Sequence, residues 1–326
     1  MHNRSVFNKG KVMGQKKCRV IGVASGWGAQ IRTCEEGPDY LKQLGCLDLL
    51  RHQKIVIEGW DTVYPTIRFR DQNIPLSEVL PLITDLNQRV VDQVKNAMHL
   101  GCFPIVIGGD HGNAVGTWNG VARALPDAPL GLLWIDAHMD AHTSETTPSG
   151  AWHGMPLAAL LGYGRKELSE LTSKQPIVKP EHVCLIGTRS YESGEADLLK
   201  ELKVKIYFME EVADRGFSVV LKEAIAHVNR GTQGYGVSLD VDVVDPSEAP
   251  GTGCFEPGGI AAKDLLQGLS LFQGDERLKA FELVEFNPSR DRDNMTAHLC
   301  QQILSAVLRG TTEAIAKFHA TAKSPF

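Results

Sequence analysis

No apolar run in this chain of 326 residues approaches the roughly 18 residues that a membrane helix needs. The first residues also lack the apolar core of a secretory signal. The seven cysteines include no CxxC pair and their number is odd, so they read as reduced cytoplasmic thiols. Neither GxGxxG nor GxxxxGK[ST] occurs, which leaves nucleotide binding without support. Low-complexity segments, obvious repeats and long linkers are missing too. A net charge of -5 argues against nucleic acid as the main partner, because phosphate binding wants a basic surface. No acidic residue stands before Glu35, whereas Arg4, Lys9, Lys11, Lys16, Lys17, Arg19 and Arg32 do. Residues 1–16 are therefore expected to form a solvated basic tail.

Apolar residues make up 43% of the chain and charged residues 22%, the balance of an ordinary globular protein with a large core. Short runs of Val, Ile, Leu and aromatics at Cys18–Val23, Pro104–Ile107, Gly131–Ile135, Val183–Ile186, Lys205–Phe208, Gly236–Leu239 and Phe281–Phe286 read as strands. Several are apolar throughout, which suits strands covered on both faces. Amphipathic stretches lie between them. Ser77–Leu100 is the clearest, with Ser77 as its cap and Pro81 in the first turn. Others are Pro38–His52, Asn113–Ala124, Ser218–Asn229, Ala262–Leu271 and Asp293–Leu308. This alternation implies a mainly parallel sheet with helices on both faces, in a single domain over residues 17–326. In such folds the ligand site lies beyond the carboxyl ends of the strands.

Four of those ends carry chemistry. They read Gly108-Gly109-Asp110-His111-Gly112, Asp136-Ala137-His138-Met139-Asp140-Ala141-His142, Asp240-Val241-Asp242 and Glu285-Phe286-Asn287-Pro288. Any one Asp or His after a strand is an ordinary cap or turn residue. Together, Asp136, Asp140, Asp240 and Asp242 crowd four negative charges at one spot, which is costly without a cation. In an extended segment, residues i, i+2 and i+4 point to one side. Asp136, His138 and Asp140 can therefore converge, as can Asp240 and Asp242, and His111 adds a further imidazole. These groups are too many for one tetrahedral zinc. They suit two metals sharing carboxylates, and hard oxygens with two imidazoles favour Mn(II), with zinc, cobalt or iron left open. Two metals about 3.5–4 Å apart can hold a bridging hydroxide for hydrolysis. His153, in Ser149-Gly150-Ala151-Trp152-His153-Gly154, is the candidate proton carrier.

The segments GGDHG, DAHMDAH, SGAWHGMP, SLDVDVVDP, APGTGCFEPGG and VEFNP, with EEGP upstream, resemble the ureohydrolase family, most of all its arginase branch. The resemblance extends across most of the chain. It implies a three-layer α/β/α fold around a mainly parallel eight-stranded sheet, and a binuclear manganese centre. One metal would take His111, Asp136, Asp140 and Asp240. The other would take Asp136, His138, Asp240 and Asp242, with Asp136 and Asp240 bridging. The implied reaction is attack of a bridging hydroxide on a guanidinium carbon, releasing urea and an amine. His153 would carry the proton and Glu285 would hold the guanidinium. Asp140 counts with these catalytic groups, and His138 with the substrate-facing ones. A cytoplasmic homo-oligomer, trimer or hexamer, is implied as well.

The resemblance favours L-arginine as substrate. The spacing of 17 residues between Asp136 and His153 is arginase-like. Ser149, Glu192 and Glu195 match residues at the amino-acid end of the substrate. Three departures bear on that end. His142 stands in place of an asparagine, Glu192 in place of an aspartate, and Cys254 in place of a threonine. Agmatine or guanidinobutyrate hydrolysis is therefore the alternative, with formiminoglutamate further off. A deacetylase of related fold would use one zinc and fewer ligands. A non-catalytic metal-binding regulator would be expected to lack ligands, and none is missing.

Overall fold

The computed structural model describes residues 17–125 and 129–309, so the expected tail over residues 1–16 lies outside the described residues. Eight strands form one sheet: β1 (Lys17–Val23), β2 (Val56–Val63), β3 (Phe103–Gly108), β4 (Leu130–Ile135), β5 (Val178–Thr188), β6 (Lys205–Phe208), β7 (Tyr235–Asp240) and β8 (Leu278–Val284). Their order is β2-β1-β3-β8-β7-β4-β5-β6. Every neighbouring pair is parallel, so the sheet is wholly rather than mainly so.

The helices are α1 (Gly37–Gln43), α2 (Cys46–His52), α3 (Leu80–His99), α4 (Ala114–Ala124), α5 (Pro156–Leu160), α6 (Lys166–Ser169), α7 (Ser193–Glu201), α8 (Met209–Arg215), α9 (Phe217–Val228), α10 (Ala262–Leu269) and α11 (Met295–Leu308). Apolar side chains of α1, α2, α8, α9, α10 and α11 pack on one sheet face. Those of α3, α4, α5 and α7 pack on the other. Successive strand residues feed opposite layers: Leu133 and Ile135 of β4 join the first, Leu132 and Trp134 the second. This accounts for strands that are apolar throughout. Trp118 of α4 lies so close to β7 that a Cβ on Gly236 would stand 1.9 Å from its ring. No helix among the described residues is long and apolar enough to cross a membrane.

The structure corrects several boundaries. Pro38–His52 is two helices, because Gly45 between α1 and α2 adopts a left-handed φ of 77°. Ser77 does not cap α3: it lies in a 3-10 turn at Leu76–Glu78, and Val79 precedes the helix without a side-chain cap. Strand β2 was not among the expected runs. It is an edge strand with Glu58 and Asp61 among its residues, so neither alternation nor an apolar run marks it. Helices α5 to α8 are likewise additional to the expected set.

Candidate metal centre

Strands β3, β8, β7 and β4 are adjacent in the middle of the sheet, and all four run the same way. Their carboxyl ends therefore deliver His111, Glu285, Asp240, Asp242, Asp136, His138 and Asp140 to one place. The loop after β3 is stapled to the end of β1 by Gly109 N to Val23 O (2.8 Å) and Asp110 N to Ser25 O (2.9 Å). A Cβ on Gly109 would stand 1.9 Å from the Ser25 oxygen, so only glycine fits there. The Asp110 carboxylate accepts from Gly28 N (3.0 Å) and Gly112 N (2.9 Å), fixing His111 as the next residue. Asp140 and Glu285 both hold left-handed backbone, at φ 50° and 64°, a strain that a surrounding structure must impose.

The side chains fall into two groups that share one carboxylate: His111, Asp136 and Asp240, and then Asp136, His138 and Asp242. His111 Nδ1 lies 3.0 Å from Asp136 Oδ2, 2.9 Å from Asp140 Oδ2 and 3.3 Å from Asp240 Oδ2. His138 Nδ1 lies 3.0 Å from Asp242 Oδ2 and 3.5 Å from Asp136 Oδ1. Asp136 thus turns one oxygen to each imidazole. Backbone N–H groups orient the acids, with His138 N on Asp136 Oδ1 (2.7 Å), Ala137 N on Asp242 Oδ1 (3.2 Å) and Asp242 N on Asp240 Oδ1 (2.9 Å). Trp134 Nε1 donates to Asp136 Oδ2 (3.0 Å), and its ring stacks on His111 at 4.2 Å.

The tautomer of His111 tests whether this set fits metal ions. The Ser238 hydroxyl donates to Glu282 Oε2 (2.6 Å), so its oxygen accepts from His111 Nε2 at 2.9 Å. That assigns the Nε2 proton and leaves the Nδ1 lone pair facing three carboxylate oxygens. Nδ1 is buried and without a hydrogen-bond partner. A cation must stand between that lone pair and those oxygens. Without metal the proton plays this part: burial would lower the His111 pKa, but Asp136, Asp140 and Asp240 outweigh it and raise it well above the ordinary value. Burial and the neighbouring Asp242 and Asp136 push Asp240 in turn well above the carboxylate range. Divalent cations relieve both conditions, so the residues present fit a binuclear metal site.

His153 Nδ1 lies 2.8 Å from Glu285 Oε1, and the same oxygen accepts from His111 N at 2.8 Å. Glu285 Oε2 is turned toward Gly253, where a Cβ would stand 3.3 Å away. Burial would lower the His153 pKa, but the Glu285 carboxylate outweighs it and, with Asp140 and Asp110, holds the imidazole up at about 9. This pair stabilises the metal-free fold fully below the unfolded histidine value near 6.5, and the contribution is lost as pH rises through about 9. NMR titration of the metal-free protein is expected to show a His153 midpoint near 9, falling toward 6.5 in Glu285→Gln. An unchanged midpoint in that variant would disprove the pairing.

The expected substrate-end residues are placed unequally. His142 is buried, with Nε2 2.9 Å from Glu192 Oε2 and Nδ1 3.1 Å from Thr146 Oγ1. Glu192 and Glu195 form the capping box of α7. Glu195 is 3% exposed, and its oxygens accept from Ala141 N (3.1 Å) and Glu192 N (3.2 Å). Burial foremost, then Asp140 and Glu192, pushes its pKa up to about 8. Glu195 is thus held by two backbone N–H groups, with Oε1 3.6 Å from His142 Nε2. Ser149 is exposed, and its Oγ accepts from Ala151 N (3.1 Å). Cys254 is half-buried among His138, Glu285 and the paired aspartates, and burial raises its thiol pKa. Ser238, Glu282 and Trp134 were not singled out from the sequence. Ser238 and Glu282 had a signal: each is a polar residue inside an apolar strand.

The comparisons with known proteins agree with this geometry. A family model described as "Arginase family" matches residues 16–309. The chain is 37% identical over 292 residues to a protein named arginase from Brevibacillus brevis, covering 90% of this chain and 97% of that one. The native crystal structure of Bacillus caldovelox arginase superposes with a TM-score of 0.83 at 34% identity, covering 92% of this chain and all (100%) of that one. Entamoeba histolytica arginase, solved in complex with L-ornithine, superposes with a TM-score of 0.79 at 28% identity, covering 90% and 99% of the two chains.

Proposed function

The chain belongs to the arginase family of metal-dependent amidino hydrolases, and from that premise we propose that it cleaves L-arginine to L-ornithine and urea. The observation that carries this reading is the pair of His/Asp groups sharing Asp136, beside the His153–Glu285 pair. His111, Asp136, Asp140 and Asp240 would hold one ion, and Asp136, His138, Asp240 and Asp242 the other. Manganese suits these hard oxygens and imidazoles. When bound, two such ions supply Lewis acidity and a nucleophile from water near neutral pH.

The chain's own residues supply the rest. A guanidinium keeps its charge throughout the accessible pH range and offers N–H donors in a fixed fork. Glu285, charged and buried, accepts from it through Oε2, while Oε1 stays engaged with His111 N and His153. This pairing neutralises the substrate and fixes its plane against the strand ends. His153, held at Nδ1 by Glu285, uses Nε2 to deliver the proton that the departing δ-nitrogen needs as the C–N bond breaks. Water adds across that bond, so urea and the amine account for every atom. The same reading makes residues 17–326 one catalytic domain after a basic tail over 1–16. It also makes the protein a cytoplasmic homo-oligomer, a location in keeping with its free cysteines.

A second reading, a guanidino substrate without an α-carboxylate, draws support from His142. Both of its ring nitrogens are engaged by Glu192 and Thr146, which leaves the exposed Glu192 carboxylate as the group presented to a ligand. Urea release by Mn(II)-loaded protein, with arginine and agmatine side by side and a chelated control, separates the two. Metal-dependent turnover of arginine is the expected result. Turnover of agmatine alone would retain the metal chemistry and remove the arginine assignment.

A further inference from the structure

We propose that Glu256 is a positioning residue that orients His138 and thereby holds the second metal ion. The inference rests on the metal-centre reading above. His138 turns Nδ1 toward Asp242 and Asp136, which leaves Nε2 on the opposite edge of the ring. Nε2 lies 3.6 Å from Glu256 Oε1. A metal-binding imidazole characteristically gives its second N–H to a carboxylate or carbonyl, which fixes the ring and makes it a better ligand. Glu256 is the carboxylate that meets that edge.

The surrounding contacts show that Glu256 is held there. Arg189, at the end of β5, donates through Nη2 (2.7 Å) and Nε (3.3 Å) to the Glu256 carbonyl. The same guanidinium donates through Nη2 to the Asp242 carbonyl at 2.6 Å and through Nη1 to Val243 O at 3.3 Å. One planar cation therefore locks the backbone of Glu256 to that of Asp242, which faces the other edge of His138. The Ser190 hydroxyl interacts with the Glu256 carboxylate from the same segment as Arg189.

The two imidazoles are thus supported by different means. His111 leans on the buried Ser238 hydroxyl, with Glu282 behind it. His138 instead faces, across 3.6 Å, a carboxylate whose side chain is 30% exposed. Removing Glu256 should therefore loosen one ion and spare the other.

The test uses the full-length chain, stripped by chelation and titrated with Mn(II). Bound metal is counted at equilibrium, and electron paramagnetic resonance reads the exchange-coupled pair. Wild type should take up two ions per chain. In Glu256→Ala the first ion should bind as before, and the second should weaken by about 10- to 100-fold, with the coupled signal lost at two equivalents. Glu256→Gln, which keeps an accepting oxygen, should fall between them. Equal wild-type affinity for both ions in Glu256→Ala would overturn the proposal. So would equal weakening of both ions with a lowered unfolding temperature, the pattern of a general structural defect. A wild type that binds fewer than two ions would contradict the metal-centre reading, and the proposal with it.

Discussion

Asp136→Ala is expected to abolish the capacity for two metal ions and to lower urea production by about 10^3-fold or more, from the several kcal/mol that a metal supplies at about 1.4 kcal/mol per tenfold. Among the described residues Asp136 is the side chain common to the two His/Asp groups, and with Asp240 it is one of the two carboxylates proposed to serve both ions. Asp136 Oδ2 faces His111 and its Oδ1 faces His138, at 3.0 Å and 3.5 Å. Losing it therefore costs both ion positions a ligand at once. Asp242→Ala, which faces only His138, should lose one ion and retain the other. Metal content and urea release measured on the same preparations check the pair. Two tightly held ions in Asp136→Ala would show that the shared carboxylate is no ligand.

Glu285→Gln is expected to retain both ions while kcat/KM falls about 10^2- to 10^3-fold. Truncating one partner of a buried, hydrogen-bonded charge pair costs about 2–5 kcal/mol. Three functions meet on this side chain. Its Oε1 anchors the backbone N–H of His111, the same oxygen holds His153 Nδ1, and Oε2 remains for a guanidinium. Glutamine keeps an accepting oxygen for His111 N, so the metal ligand stays in place. It loses the charge that meets the guanidinium and supports the His153 imidazolium. KM should rise and kcat should fall together, because binding and proton transfer both depend on that charge. His153→Ala should lower kcat alone. A Glu285→Gln enzyme with unchanged KM would place the guanidinium elsewhere.

Much of this was readable because chemistry and fold share one rule. A parallel sheet puts its ligand site at the carboxyl ends of the strands, and the Asp and His residues after β3, β4 and β7 stand directly behind apolar runs. Asp136, His138 and Asp140 do lie together, but by another route than the i, i+2, i+4 alternation of an extended segment: the chain bends after β4, Asp140 is left-handed at φ 50°, and Val241–Val243 is a 3-10 turn. Strand β2 escaped notice because an edge strand faces solvent and carries charge inside its run. The break at Gly45 escaped because the apolar pattern continues across it in α1 and α2. Supporting residues were the hardest to see. Ser238, Glu282 and Glu256 act through contacts between segments far apart in the chain, at separations of 127 residues for His111–Ser238 and 44 for Ser238–Glu282. Local spacing carries no trace of such pairs. Glu195 shows a related ambiguity: in sequence, an acid at a helix start looks the same whether it faces a ligand or accepts from backbone N–H groups, as Glu195 does from Ala141 N and Glu192 N.

The account stands most directly on one titration. Chelator-stripped protein is given Mn(II) in small increments, and urea release from arginine is followed beside the count of bound ions. Activity that appears with metal and levels off at two ions per chain is the predicted result. Full turnover in the chelated protein, or saturation of activity and binding at a single ion, would contradict a shared-carboxylate binuclear centre.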